Sequence, residues 1–221
     1  MLARRTVAAL PLLLCLLLTA GCGTFAQSYD PAGVDGLTIP TPSPRAGDFV
    51  STVDNPWLPL TAGATLTYAV SRPGLPAATR TVTVLPGRVE IAGVPTPAVR
   101  NTLTGEGGGT GTDYYAQDRR GNVWWFGHEA ATDAWRAGQG GAQAGLAMAA
   151  RPRTGDGYRT AYLPGVVEDV ATVAQVEGGV LAIDVASALT PGRIVREAYR
   201  RGTGLTARVD EATGEYDELS R

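Results

Sequence analysis

The residues able to do chemistry are few. One histidine, His128, follows Val-Trp-Trp-Phe-Gly and stands next to Glu129, with Asp133 close behind. As a general base it would need a nucleophile within hydrogen-bond reach and a carboxylate to orient it. No Gly-x-Ser-x-Gly elbow accompanies it, and both cysteines, Cys15 and Cys22, belong to the leader region. The default place for His128 is thus a loop at a strand end. Asp113, Asp118, Glu168 and Asp169 could act in pairs, as in glycoside hydrolysis. Asp118, however, lies beside a Gly-Asn turn, where aspartates ordinarily accept backbone N–H bonds. Glu168-Asp169 follows Pro164-Gly165, as a loop corner or as a partner for Arg159. One histidine cannot supply the three or four nitrogen and sulfur ligands of a zinc site. No run places Asp and Asn at alternate positions closed by Glu, as calcium loops require. No catalytic residue, metal ligand or cofactor is assigned.

Cys22 offers a different chemistry. Residues 1–22 open with Arg4-Arg5, continue through an apolar run too short to span a bilayer, and close on Leu18-Thr-Ala-Gly-Cys22. That ending resembles the bacterial lipobox, in which the cysteine is lipidated and becomes the new N-terminus. Residues 1–21 are then a lipoprotein signal peptide and Cys22 the lipid attachment, holding the protein to the membrane on its extracytoplasmic side. Ordinary cleavage near Ala20 and twin-arginine export through Arg4-Arg5 are the alternatives. Residues 22–48, rich in Gly, Pro, Ser and Thr, cannot bury enough apolar surface to offset their ordering entropy and read as a tether. Losing Arg4 and Arg5 changes a balance of 19 basic against 21 acidic residues to a net charge of about −4. That balance, with no basic cluster, excludes nucleic acid as a partner.

The elements that must position these side chains are strands. In residues 113–126, Asp-Tyr-Tyr-Ala-Gln-Asp-Arg-Arg-Gly-Asn-Val-Trp-Trp-Phe, five aromatic residues flank a Gly-Asn turn, a β-hairpin pattern. Its alternation sends Tyr114, Trp124 and Phe126 to one face and Tyr115 and Trp125 to the other. Before it, residues 49–60 carry Pro56 and Pro59, which exclude a helix and suggest an irregular lead-in with Trp57 as a plug. Runs at 64–70, 79–85, 88–94, 98–103, 112–117 and 122–126, then at 158–162, 166–176, 180–185, 194–200, 205–211 and 215–219, show Val, Thr, Tyr or Ile near period two between Gly or Pro breaks. The run 166–176 also fits a helical face, and 143–150 is a short helix or a loop. The expected fold is all-β: one domain over residues 49–221, a strongly curved antiparallel sheet of about ten strands forming a half-barrel or open barrel with little helix.

A curved sheet encloses a concave face, and Tyr68, Tyr115, Trp125 and Tyr199 are the candidates to line it as a ligand face. The competing reading is that these rings are core. From Asp54 to Leu219 the chain also resembles a family of uncharacterised exported, β-rich bacterial proteins of actinomycete type. The motifs carrying that resemblance are Asp54-Asn-Pro-Trp-Leu-Pro-Leu, Gly93-Val-Pro, Tyr115-Ala-Gln-Asp-Arg-Arg-Gly-Asn-Val-Trp, Gly155-Asp-Gly-Tyr-Arg and Ile194-Val-Arg-Glu. The resemblance implies an envelope location and no established activity; a cysteine common in that family near Val185 is missing from the matching stretch here. The resulting expectation is a lipid-anchored envelope protein whose β domain binds a lipid, a glycan or a partner protein without chemistry. An envelope hydrolase using His128 or a carboxylate pair is the alternative.

Overall fold

A computed structural model describes residues 45–220. The expected signal peptide, Cys22 and most of the expected tether lie outside the described residues; Ala46–Asp48, the last residues of the expected tether, form a single 3₁₀ turn. Sixteen strands follow. They are β1 (Phe49–Val50), β2 (Thr65–Ser71), β3 (Ala78–Val84), β4 (Val89–Ile91), β5 (Val94–Thr96), β6 (Ala98–Leu103), β7 (Gly109–Asp118) and β8 (Val123–Glu129). The second half contributes β9 (Trp135–Arg136), β10 (Gln143–Met148), β11 (Gly157–Leu163), β12 (Val167–Glu177), β13 (Val180–Ser187), β14 (Ile194–Arg200), β15 (Gly204–Asp210) and β16 (Tyr216–Leu219).

Twelve of these strands form a closed up-and-down barrel. Each of β2, β3, β6, β7, β8 and β10 to β16 pairs antiparallel with its successor in that series, and β16 returns to β2. The expected half-barrel of about ten strands is therefore corrected to a closed ring. Closure rests on the register from Tyr216↔Ser71 to Leu219↔Tyr68, between the last strand and the first. Local alternation is the same in an open or a closed sheet, whereas closure removes both exposed edges. Two assignments inside the series also change. Residues 88–94, read as one barrel strand, belong instead to the two-stranded β4–β5 hairpin, which reverses at Ala92 (φ 51°) and Gly93. Residues 143–150 are neither helix nor loop but contain β10, hydrogen-bonded to β8 and β11. The Ala- and Gly-rich composition carries no strand signal of its own, and pairing on two sides overrides it. The run 166–176 is strand throughout.

The lead-in is a plug, as its prolines and Trp57 suggest. Asn55 is 2% exposed; its Nδ2 donates to the carbonyls of Gly121 (2.8 Å) and Ala149 (3.2 Å), and its Oδ1 accepts from Trp57 N (2.8 Å). Gly202 N donates to Pro56 O (2.7 Å), and the Arg201 guanidinium lies 5.6 Å from the Trp57 ring centre. These partners belong to the β7–β8 turn, the end of β10 and the β14–β15 turn, so the segment crosses that end of the barrel.

Candidate functional site

Twelve strands enclose more space than their inward side chains fill. A cavity of about 950 Å³ remains in the barrel, at the upper end of small-molecule sites. Much of its wall is aliphatic, with Leu66, Val82, Val99, Val185, Val195 and Leu205 among the contributors. Tyr68, Tyr115, Trp125 and Tyr199, named from alternation alone, all line it. Tyr68 is nevertheless 1% exposed and donates its hydroxyl to Leu205 O (3.0 Å), and Tyr199 donates to Glu197 Oε2 (2.7 Å). Their polar tips are thus occupied by the protein.

His128 is not on a surface loop. It belongs to β8, opposite Asp113 on β7, and its Nδ1 donates to Asp113 Oδ1 at 2.7 Å within the cavity wall. A regular hairpin would put His128 and Trp125, three residues apart, on opposite faces. The register instead jumps from Tyr114↔Gly127 to Tyr115↔Trp125, leaving Phe126 as the extra residue of a β-bulge. That bulge turns His128 to the inward face that Trp125 already shares with Tyr115 by alternation. The imidazole meets Trp125 edge-on, with ring centres 6.2 Å apart, and lies against Gly111, where an added Cβ would come within 2.9 Å of His128 Cε1. The hydrogen bond to Asp113 raises the His128 pKa above its usual range, against an opposing desolvation and with help from Asp133, whose Oδ1 is 3.9 Å from Nε2.

Two further bulges lie in adjacent strands, between Leu146 and Met148 on β10 and between Arg159 and Ala161 on β11. The second makes Thr160 an extra residue on the cavity wall. Gly145 stands opposite Trp125 in the register, and a Cβ there would fall 2.3 Å from the Thr160 carbonyl carbon. Only glycine permits the β10 backbone to lie so close to β11. Sequence reading missed Thr160 and Glu197. Glu197 has its carboxyl pKa raised, chiefly because burial penalises the charge, although Tyr199 donates to it. Burial also holds the Tyr115 and Tyr199 phenols far above their usual range, so both stay protonated.

The other candidates separate cleanly. Asp118 accepts from Arg120 N (2.8 Å) and Asn122 N (3.0 Å) in its turn, as expected, and also from Trp124 Nε1 (3.0 Å). Glu168 accepts from Gly165 N (2.8 Å) as a loop corner, while Asp169 reaches the cavity. Arg159 pairs with neither: it donates to Gln143 Oε1 (2.6 Å) and lies over the Tyr162 ring. Among the described residues no group of three His, Cys, Asp or Glu is placed to hold a metal ion.

No protein-family model matches the sequence, and no curated protein matches it. Among solved structures it is similar to a Bacteroides fragilis protein described as having a YmcC-like fold and as inferred to be exported. That similarity has 12% identity and a TM-score of 0.39, over 75% of this chain and 97% of the other.

Proposed function

We propose that this protein is an exported, lipid-anchored envelope protein whose barrel binds an amphipathic ligand in its lumen without chemistry. The observation carrying this reading is the cavity itself: about 950 Å³, with aliphatic and aromatic side chains interleaved with charged and hydroxyl groups along its wall. A purely structural barrel would fill this space, because protein interiors pack at crystal-like density. Export and anchoring rest on the leader and Cys22, and the resemblance to exported β-rich proteins agrees with them. Native mass spectrometry of the intact protein, released gently from its own membranes, is expected to show a co-purifying small molecule at one per chain. Failure both to retain a molecule and to bind the apolar fluorophore N-phenyl-1-naphthylamine would overturn the reading. Cys22→Ser is expected to release the protein from membranes and abolish fatty-acid labelling; labelling that persists would remove the anchor.

The hydrolase reading draws on the His128–Asp113 pair. One feature weighs against it. Among the described residues no hydroxyl is hydrogen-bonded to His128, whose Nε2 faces Asp133 instead. Ester hydrolysis that disappears in His128→Ala would revive it.

A further inference from the structure

The charges of the lumen do not cancel. Six carboxylates line it, Asp113, Asp133, Asp169, Glu197, Glu215 and Asp217, against three arginines, Arg80, Arg193 and Arg208, and one histidine. The arginines are engaged already: Arg80 with Asp217 and Glu215, Arg208 with Glu215, and Arg193 with Asp210, which is not part of the wall. His128 donates to Asp113. Among the described residues Asp169 and Glu197 are thus left without an ion pair. Asp217, 1% exposed, holds Arg80 through Oδ2 while its Oδ1 has no donor. Even with His128 protonated, six negative groups face four positive ones. An anionic guest would lose its water and meet surplus negative charge, whereas a cationic guest would offset that charge.

Glu197 is the unmatched group within the barrel that a guest can reach. Its strand, β14, puts Val195, Glu197 and Tyr199 on the cavity wall and turns the exposed Arg196 and Arg200 outward. Glu197 is only half-buried, and on that inward face the surface it keeps opens onto the cavity. Its Oε2 accepts from the Tyr199 hydroxyl (2.7 Å), while Oε1 has no donor among the described residues and is not an enclosed atom. Arg208 stands opposite in the register but donates to Glu215 (3.2 Å) instead. Glu197 pairs with Ile183, and Val195 with Val185 one inward position along, so an aliphatic wall adjoins the carboxylate. Tyr115, half-buried on the same cavity, is close enough for its phenol to feel the Glu197 charge. An open carboxylate oxygen near an aromatic ring and an aliphatic wall suits an organic cation that carries an alkyl chain.

We propose that the lumen binds a cationic amphiphile, an alkylammonium whose positive head meets Glu197 and whose chain lies against the aliphatic wall, in preference to a neutral or anionic amphiphile of similar length. This rests on the lumen being a ligand site. The test is displacement of N-phenyl-1-naphthylamine from the intact protein at pH 8, below micelle-forming concentrations. The displacers are decyltrimethylammonium, N,N-dimethyldecylamine N-oxide, whose head is of similar size but carries no net charge, and decanoate. The ammonium is expected to act at about tenfold lower concentration than the N-oxide, with decanoate the weakest. Glu197→Gln keeps an acceptor for the Tyr199 hydroxyl and is expected to shrink that tenfold preference to about twofold. A preference that survives the substitution in full overturns the assignment to Glu197. Equal potency of the three displacers, or a preference for decanoate, overturns the inference and leaves the binding barrel standing. A fluorophore that does not bind at all overturns both. The comparison of displacers uses only the natural protein, so it decides the ligand's charge even if the variant melts early.

Discussion

The two faces of the β7–β8 hairpin share one backbone and one aromatic composition, yet they differ in how their needs are met. On the outer face, Tyr114, Trp124 and Phe126 are 4%, 4% and 0% exposed and join the main core. Each polar atom there has a partner: the Tyr114 hydroxyl donates to Glu129 (2.6 Å) and Trp124 Nε1 to Asp118 (3.0 Å), while Phe126 packs edge-on against Phe49. On the lumenal face, Tyr115, Trp125, Asp113 and His128 are only half-buried, and the Trp125 indole nitrogen has no partner. Rings with every contact filled hold a wall together. Rings with contacts to spare are placed to meet a guest.

The largest expected effect separates the two tryptophans. Trp124→Ala should destabilise the protein by about 3 to 5 kcal/mol, because it leaves a cavity in a packed core. Trp125→Ala should cost about 1 to 2 kcal/mol, since part of its area already faces the lumen, and it should impair fluorophore binding. Equal losses in urea denaturation would erase the distinction between the faces. Next comes Asp118→Ala, which removes the acceptor shared by the turn and Trp124 Nε1. A loss of about 1 to 3 kcal/mol is expected, with lumenal binding unchanged; reduced binding would mean that the outer face shapes the site.

The smallest effect is a titration. His128 should titrate above 6.5 by NMR, because the hydrogen bond from its ring to Asp113 favours the imidazolium. Its folded pKa lies above the unfolded one, so the stabilisation is complete below about 6.5 and is lost as pH rises through the folded value. Asp113→Asn should lower the midpoint, leaving desolvation of the ring as the larger influence. A midpoint that did not move would show that the pair is not formed in solution.

Much of this was legible along the chain, and the places where it was not have identifiable causes. Period-two runs marked nearly every barrel strand, since each strand has one face on the lumen and one facing outward. The Ala- and Gly-rich β10 escaped because its strand character comes from its neighbours β8 and β11. The four ring residues proposed for a ligand face all reached the cavity by alternation alone. Alternation could not reveal that His128 joins them, because an unbroken register pairs Asp113 with Gly127 rather than with His128. One extra residue, Phe126, reverses the outcome. Thr160 lies two residues after Tyr158, on the face that the register joins to Val185, and it escaped because nothing in residues 158–162 alone says which face of that strand is lumenal.

By itself the sequence determined most of the strand content and the division of the aromatic hairpin into two faces, because each is written in contiguous residues. Only the tertiary structure decided that the sheet closes, that the lumen stays unfilled, and that a histidine and a threonine face into it. Closure depends on β16 meeting β2, the first and last strands of the barrel series. The lumen depends on twelve strands curving together, and the inward turn of His128 depends on a bulge whose position no local pattern of residues marks.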